Sequence, residues 1–181
     1  MIHLVLGGAR SGKSRHAQQA ALALTDAPVY VATSRRWDDD HAARIERHKS
    51  DRGIEWTTIE DERTLAHVTL KGRVVVIDCL TLWLTNLFLD QQQHVDAVRE
   101  AARAEIDRVA AIDATWILVS NEIGLAPHAM TESGRKFVDL QGFVNQDVAA
   151  RASTVTLMVA GLPLHVRGHG IVALPALASL P

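Results

Sequence analysis

The stretch that most constrains the fold of this chain is residues 7–14, which read GGARSGKS. A short apolar run from Ile2 to Leu6 precedes it and is typical of a buried strand. An alanine- and leucine-rich stretch from Lys13 to Leu24 follows and is typical of a helix. A strand, a glycine-rich turn and a helix in this order form the phosphate-binding loop described by the pattern G-x-x-x-x-G-K-[ST]. We therefore expect the chain to bind the phosphates of a nucleotide near its amino terminus.

The residue types in this loop predict separate tasks. Glycine lets the backbone close around a phosphate, so that backbone N–H groups and the positive end of the helix dipole face the anion. Lys13 is expected to reach the β- and γ-phosphates, and the hydroxyl of Ser14 is expected to bind Mg²⁺. The candidate nucleotide ligands in the loop are Gly7, Gly8, Ala9, Arg10, Ser11, Gly12, Lys13 and Ser14.

An aspartate follows a second, uninterrupted apolar run, from Val74 to Ile77. A carboxylate at the end of a buried strand, downstream of such a loop, is typical of the residue that holds Mg²⁺ beside the nucleotide. Asp78 is therefore predicted to form the metal site together with Ser14. Asp78 could also cap the helix that the sequence predicts from Leu80 to Asp90, and the two tasks are compatible.

Composition favours one domain covering residues 1–181, without a disulfide framework. The chain has 181 residues, of which 48% are hydrophobic and 22% are charged, and a net charge of −2. Because it has no long basic run, we expect no nucleic-acid partner. No apolar stretch approaches the roughly 20 residues that span a bilayer, so a cytoplasmic location is the expectation. The one cysteine, Cys79, lies in an apolar run and is expected to be a buried thiol.

Strand and helix patterns alternate along the chain, which predicts an α/β fold with a mostly parallel sheet and helices on both faces. The predicted strands are Ile2–Leu6, Val29–Ala32, Glu55–Ile59, Val74–Ile77, Trp116–Val119 and Thr154–Val159, with Leu164–Arg167 as a candidate last strand. The predicted helices are Lys13–Leu24, Asp39–Arg52, Thr64–Thr69, Leu80–Asp90, Asp96–Ile112 and Ser133–Ala152. The apolar tail Ile171–Pro181 contains two prolines and is expected to pack irregularly.

Residues 33–52 contain histidines whose role the loop does not explain. His41, Ile45 and His48 share one face of the helix predicted there. About 10 Å along the helix axis separates the two histidines, which is too far for one metal ion. His48 is then either a surface histidine among basic neighbours or a nucleophile whose neutral imidazole attacks the α-phosphate of a nucleoside triphosphate. Spacing alone leaves both interpretations open.

Seven stretches, in this order, resemble one known family. They are GGARSGKSR at 7–15, YVATS at 30–34, the segment 38–49 ending in ARIERHK, WTTIE at 56–60, DCLTLWLTN at 78–86, SNEIG at 120–124 and GFVNQ at 142–146. Together they are similar to the bifunctional adenosylcobinamide kinase/adenosylcobinamide-phosphate guanylyltransferases of cobalamin biosynthesis. The similarity extends from residue 2 to about residue 168.

The resemblance implies a RecA-like P-loop NTPase fold, a homotrimer and two reactions. The enzyme would phosphorylate the aminopropanol hydroxyl of adenosylcobinamide with ATP or GTP, and would then transfer GMP from GTP to adenosylcobinamide phosphate. The guanylyl group would pass through a covalent bond to His48, which occupies the histidine of the family motif R-I-x-x-H-K. Further nucleotide contacts are implied at Ala32, Thr33, Ser34, Lys49, Ser50, Asp51, Arg52, Glu60 and Asp78.

The sequence also departs from the family pattern, and two other classes of protein compete with it. Residues 125–136 lack the family's P-E-N segment, and Phe143 stands where arginine is common. An ordinary P-loop small-molecule kinase would transfer the γ-phosphoryl group without a covalent nucleotide. A nucleotide switch is disfavoured because the sequence has no guanine-reading N-K-x-D motif. No residue in the sequence is an obvious general base for the substrate hydroxyl of the kinase reaction.

Overall fold

The computed structural model describes residues 1–35 and 53–170, and one seven-stranded sheet runs through this part of the chain. Its strands are β1 (Ile2–Gly7), β2 (Val29–Ala32), β3 (Thr57–Glu60), β4 (Val74–Asp78), β5 (Thr115–Val119), β6 (Thr154–Val159) and β7 (Leu162–Arg167). They lie in the order β3-β2-β4-β5-β1-β6-β7, and each neighbouring pair is parallel except β6 and β7. The predicted α/β class with a mostly parallel sheet is confirmed.

Helices cover both faces of this sheet, as predicted. The helices of the described ranges are α1 (Lys13–Leu24), α2 (Leu80–Asp90), α3 (Val95–Ala111) and α4 (Glu132–Arg151). The alanines of α1 pack on one face, against Val5 and Val76 among others. The other three helices pack on the opposite face in a larger apolar cluster that includes Leu4 and Ile77. Because neighbouring residues of a strand point to opposite faces, both clusters draw on the same strands.

The uninterrupted apolar runs are the central strands of the sheet. In β4, Val75 and Ile77 join the larger cluster, whereas Val76 between them joins the smaller one. All three side chains are completely buried. A strand that is covered on both faces has no position for a polar side chain, which explains why these runs lack the alternation of a half-exposed strand.

The helix predicted at Thr64–Thr69 is wrong, because a tertiary contact holds this stretch in another conformation. The chain here is a loop that ends in a single 3-10 turn, Val68–Leu70. The carboxylate of Glu105, on α3, accepts hydrogen bonds from the backbone N–H groups of Leu65 (2.6 Å) and Ala66 (2.8 Å). A partner from a distant part of the chain therefore outweighs the weak local preference for a helix.

Two predicted segments lie outside the described residues, namely the helix Asp39–Arg52 and the tail Ile171–Pro181. The same holds for the predicted site residues His48, Lys49, Ser50, Asp51 and Arg52. The remaining predicted strands and helices are present, and each begins and ends within two residues of its expected bounds.

Replacing Glu105 with alanine is expected to lower the free energy of unfolding by about 1–3 kcal/mol, because two backbone N–H groups lose their acceptor. The Glu105 side chain is 3% exposed, so water does not readily take its place. Urea unfolding monitored by circular dichroism measures the loss. Glu100→Ala, at an exposed position of the same helix, is the matched control and should change stability by less than about 0.5 kcal/mol. An equal loss in both variants would show that the two hydrogen bonds contribute nothing.

Candidate active site

Six parallel strands end side by side at one edge of the sheet, in the order β3, β2, β4, β5, β1, β6. In this register Ala32 lies between Glu60 and Asp78, and Asp78 lies beside Val119 of β5. The loop 7–14 leaves the carboxyl end of β1 at the same edge. Open α/β sheets bind their ligands outside the carboxyl ends of the strands, where the strand order reverses. The fold therefore brings together site residues that are far apart in the sequence.

Two glycines of the loop lie where a side chain does not fit. Gly7 has φ +152°, and a Cβ built there would lie 2.6 Å from the carbonyl oxygen of Met158. Gly12 has φ +95°, and its Cβ would lie 3.3 Å from the Cα of Gly161. The Gly161 N–H also donates to the Ser11 carbonyl at 3.0 Å. The loop thus rests on the hairpin between β6 and β7, and both glycines are required by close approach as well as by backbone conformation.

Lys13 and Ser14 are the first residues of α1, so they lie at the positive end of its dipole. The Lys13 side chain is 8% exposed, and its Nζ donates to the carbonyl oxygen of Gly8 at 2.6 Å. Ser14 is half-buried. The ammonium group, the loop amides and the helix terminus all lie around residues 8–14, an arrangement that suits an anion such as a polyphosphate.

Asp78 ends β4, two strands from β1, and is half-buried. One of its carboxylate oxygens accepts a hydrogen bond from the Tyr30 hydroxyl at 2.9 Å. Among the described residues the N-cap of α2 is Cys79, with no side-chain capping bond, so the structure does not support a capping task for Asp78. Cys79 is buried, as predicted, and this burial raises the pKa of its thiol to about 12.

The oxygen donors at this edge fit a magnesium ion. Mg²⁺ is usually bound by one or two protein oxygens, with waters and substrate phosphates completing its octahedral shell. Ser14 offers a hydroxyl at the start of α1 and Asp78 a carboxylate at the end of β4, and α1 packs against β4. Within residues 1–35 and 53–170 no three His, Cys, Asp or Glu side chains cluster as an all-protein metal site.

The ends of β2 and β3 place two predicted contacts in different surroundings. Thr33 is completely buried, and its hydroxyl donates to the Cys79 carbonyl at 2.8 Å. Its own carbonyl accepts a hydrogen bond from Asn86 Nδ2 at 2.8 Å. Its buried hydroxyl is therefore committed to the chain just after Asp78. Glu60, at the outer end of the edge, is exposed.

Arg35 is the last described residue before the gap at 36–52, and two carboxylates anchor it. Its guanidinium donates to both carboxylate oxygens of Asp90, at 2.8 and 2.7 Å, and to Glu62. The hydrogen bonds with Asp90 raise the pKa of Arg35, and those with Arg35 lower the pKa of Asp90. The segment that contains His48 therefore begins from an anchored position, three residues after the end of β2.

A buried polar network at the end of β5 was not assigned a role from the sequence. The Ser120 hydroxyl donates to Asn145 Oδ1 at 2.7 Å, and Gln141 Nε2 donates to both side chains at 3.0 Å. Asn145 Nδ2 donates to the carbonyl of Asn121, whose backbone N–H and Nδ2 donate to the Thr81 hydroxyl. The network joins β5 to α2 and α4. Its signal in the sequence is two amides four residues apart on the apolar face of a helix, which places both side chains on the buried side.

Acid is expected to destabilise this protein below about pH 6.5, because two buried histidines resist protonation. Burial lowers the pKa of His16 from 6.5, and nearby His165 lowers it further. Burial likewise lowers the pKa of His3. The unfolded chain then binds more protons than the folded one below pH 6.5, so stability falls as the pH falls.

Melting temperatures between pH 7.5 and 5.5 measure this effect, and His16→Leu is expected to weaken it. Leucine suits the site because His16 Nε2 is buried and has no hydrogen-bond partner among the described residues. The lowered pKa of Asp90 affects stability only below its ordinary value of 3.8, so it does not overlap this range. A His16→Leu variant with an unchanged pH dependence would contradict the assignment to His16.

Comparisons with known proteins show the family to which the chain belongs. A sequence model described as cobinamide kinase/cobinamide phosphate guanyltransferase matches residues 3–166. The chain belongs to this family. The resemblance inferred from the seven sequence stretches is therefore confirmed. The guanidinium carbon of Arg99 lies 4.2 Å from the ring centre of Phe143, the position at which the sequence departs from the pattern expected above.

Members of the family resemble the chain over nearly their whole length. A bifunctional adenosylcobalamin biosynthesis protein from Pseudomonas aeruginosa is 42% identical over 175 residues, which cover 93% of this chain and 99% of the relative. The proteins of the same description from Escherichia coli K12 and Salmonella typhimurium are 38% and 37% identical. Each of these two alignments covers 92% of this chain and 100% of the relative.

The fold itself is that of a P-loop NTPase, as predicted. A solved ATPase from a bacterial type III secretion system superposes with a TM-score of 0.51 at 9% identity, covering 86% of this chain and 50% of that chain. At this identity the likeness concerns the fold alone. None of the helices in residues 1–35 and 53–170 has the length and apolar character needed to cross a membrane.

Proposed function

We propose that both reactions of the family use the nucleotide site at the carboxyl edge of the sheet, and that His48 holds GMP between substrates. The first reaction phosphorylates adenosylcobinamide with ATP or GTP. The second transfers GMP from GTP to adenosylcobinamide phosphate and gives adenosylcobinamide-GDP. The observation that carries the proposal is the buried Lys13 ammonium inside the loop 7–14, in a chain that matches the family over residues 3–166.

Each side of the site has its own part in binding the nucleotide. Lys13, the loop amides and the start of α1 hold the phosphates and stabilise the leaving pyrophosphate. Ser14 and Asp78 would hold Mg²⁺, which neutralises phosphate charge when it is bound. Glu60 lies four strands from β1, roughly 19 Å at about 4.8 Å per strand. Its carboxylate therefore accepts hydrogen bonds from guanine N–H groups or ribose hydroxyls, at the far end of the nucleotide from the loop.

Guanylyl transfer has two displacement steps at the α-phosphorus. A neutral imidazole nitrogen of His48 forms a bond to this phosphorus, and the bond to the bridging oxygen breaks as pyrophosphate leaves with its electron pair. An oxygen of adenosylcobinamide phosphate then forms a bond to the same phosphorus, and the P–N bond breaks to restore the imidazole. Lys49, Ser50, Asp51 and Arg52 follow His48 directly and are proposed to contact the same nucleotide.

Labelled GTP tests the covalent step with the wild-type protein. Protein incubated with α-labelled GTP is expected to retain an acid-labile label, and γ-labelled GTP should leave none on the protein. Added adenosylcobinamide phosphate should release the α-label as adenosylcobinamide-GDP. A P-loop kinase without nucleotidyl transfer would move the γ-label to the substrate and would never acquire the α-label, which would refute the guanylylated intermediate.

Assembly remains a prediction of the family resemblance, whereas the location and the single domain remain predictions from composition. We propose a homotrimer, which sedimentation equilibrium measures directly, and a cytoplasmic enzyme of one domain over residues 1–181. Adenosylcobinamide, its phosphate, GTP and ATP are the proposed binding partners. No task in the proposed reactions involves a nucleic acid.

A further inference from the structure

The residues that follow β5 lie between the two nucleotide-binding elements of the site. In the sheet, β5 has β1 with its phosphate loop on one side and β4 with Asp78 on the other. Ser120, Asn121 and Glu122 continue from the end of β5 at this edge. They therefore lie beside the phosphate loop, which in the proposed site holds the β- and γ-phosphates. The γ-phosphoryl group is the one that the kinase reaction transfers.

Glu122 is held directly against the phosphate loop. Its backbone N–H donates to the carbonyl oxygen of Gly7 at 3.0 Å. Its half-buried carboxylate accepts the N–H of Gly124 through Oε1 at 2.9 Å. Within the described part of the chain, the other carboxylate oxygen of Glu122 makes no hydrogen bond and no ion pair. One oxygen of this carboxylate thus fixes its position, and the second remains able to accept a proton.

The polar network at the end of β5 makes this position rigid. Asn121, the preceding residue, donates two hydrogen bonds to Thr81 on α2, at 3.1 and 3.0 Å. Its carbonyl accepts a hydrogen bond from Asn145 on α4 at 3.1 Å. The backbone leading into Glu122 is therefore held by two helices and by the loop. A base held in this way loses little conformational entropy when it reaches its reactive geometry.

Among the described residues at this edge, the other carboxylates have different tasks, accept backbone hydrogen bonds as Asp61 does, or lie too far away. Asp78 accepts the Tyr30 hydroxyl and is proposed to hold the metal. Glu62 is paired with Arg35. Glu60 ends the outermost strand, four strands from the loop. We infer that Glu122 is the general base of the kinase reaction and accepts the proton of the substrate hydroxyl.

The step involves one proton and one phosphoryl group. The hydroxyl oxygen of adenosylcobinamide forms a bond to the γ-phosphorus, and the bond to the β,γ-bridging oxygen breaks, so the electron pair leaves with ADP or GDP. The hydroxyl proton passes to the Glu122 carboxylate and then to water when the product leaves. Guanylyl transfer needs no such base, because the imidazole nitrogen and the phosphate oxygen attack with lone pairs that bear no proton. Glu122 is therefore needed by one of the two reactions.

Glu122→Gln separates the two reactions. Glutamine keeps an acceptor for the Gly124 N–H but does not take up the proton. We expect kcat of the kinase reaction to fall about 100- to 10,000-fold, with little change in KM for the nucleotide. GMP transfer to supplied adenosylcobinamide phosphate and the α-label on the protein should stay within about twofold of wild type. Glu122→Asp, which keeps a carboxylate, should recover part of the kinase rate.

The matched control is Glu100→Gln, which removes the same charge from an exposed position of α3 and should leave both reactions intact. An equal fall of both reactions in Glu122→Gln would mean that Glu122 only supports the loop, and this would overturn the inference. An unchanged kinase rate would overturn it as well. The inference rests on the kinase activity proposed above. A wild-type protein without that activity would refute both, and it would be recognised before any variant is measured.

Discussion

Replacing His48 with alanine is expected to abolish the acid-labile α-label and with it the transfer of GMP. Alanine has no lone pair that can attack the α-phosphorus, so no P–N bond forms at this position. The kinase rate should remain, since transfer of the γ-phosphoryl group does not use the imidazole. Intact-protein mass spectrometry after incubation with GTP measures the guanylylated fraction, and supplied adenosylcobinamide phosphate reports the transfer step separately.

His41→Ala is the matched control for this variant. His41 belongs to the same segment and, in the predicted helix, to the same face as His48. Its loss should leave the label at wild-type levels. Label that persists in His48→Ala would show that another group holds the nucleotide. Label that disappears in His41→Ala but persists in His48→Ala would show that His41, and not His48, is the nucleophile.

Lys13→Ala is expected to lower kcat of both reactions by about 100- to 1,000-fold, because both depend on the same phosphate site. The ammonium group lies inside the loop, where it is shielded from water and its charge acts strongly on a phosphate. Rates of phosphorylation and of GMP transfer, each with its own supplied substrate, measure the loss, and equilibrium binding of GTP reports the affinity.

An exposed lysine provides the control for Lys13. Lys71 lies between the 3-10 turn and β4. The variant Lys71→Ala removes the same charge, and the protein should keep both reaction rates. Three active-site variants then give three distinct patterns, with guanylyl transfer lost in His48→Ala, the kinase lost in Glu122→Gln and both lost in Lys13→Ala. A Lys13→Ala protein that loses only one reaction would contradict a shared nucleotide site.

Elements with a signal in consecutive residues were predicted well from the sequence. The loop 7–14, the helix Lys13–Leu24 and the buried strand from Val74 agree with the structure to within a residue. Their signals are glycine spacing, an alanine-rich helix and an unbroken apolar run, and each arises from backbone sterics or from burial on both faces. By contrast, the prediction of a helix at Thr64–Thr69 failed because backbone N–H groups of this stretch donate to a buried carboxylate of α3.

The site residues also divide into those that the sequence predicts and those that only the fold places at the site. Asp78 could be proposed from its own neighbours, since it ends an apolar strand. Glu122 had no such signal, because its proximity to Gly7 exists only once β5 is inserted between β4 and β1. The buried amides of Gln141 and Asn145 likewise could not be interpreted from the sequence, because their hydrogen-bond partner Ser120 lies at the end of β5.

By itself, the sequence determined the phosphate-binding loop, the central strands, the α/β class and the family, because each is encoded by residues that are close together in the chain or by motifs in a fixed order. Only the tertiary structure decided which side chains meet at the carboxyl edge, which hydroxyls are already committed, and which carboxylate lies against the loop. The physical reason is that strand order and side-chain partners depend on how distant segments share one core, and no single stretch of residues specifies that arrangement.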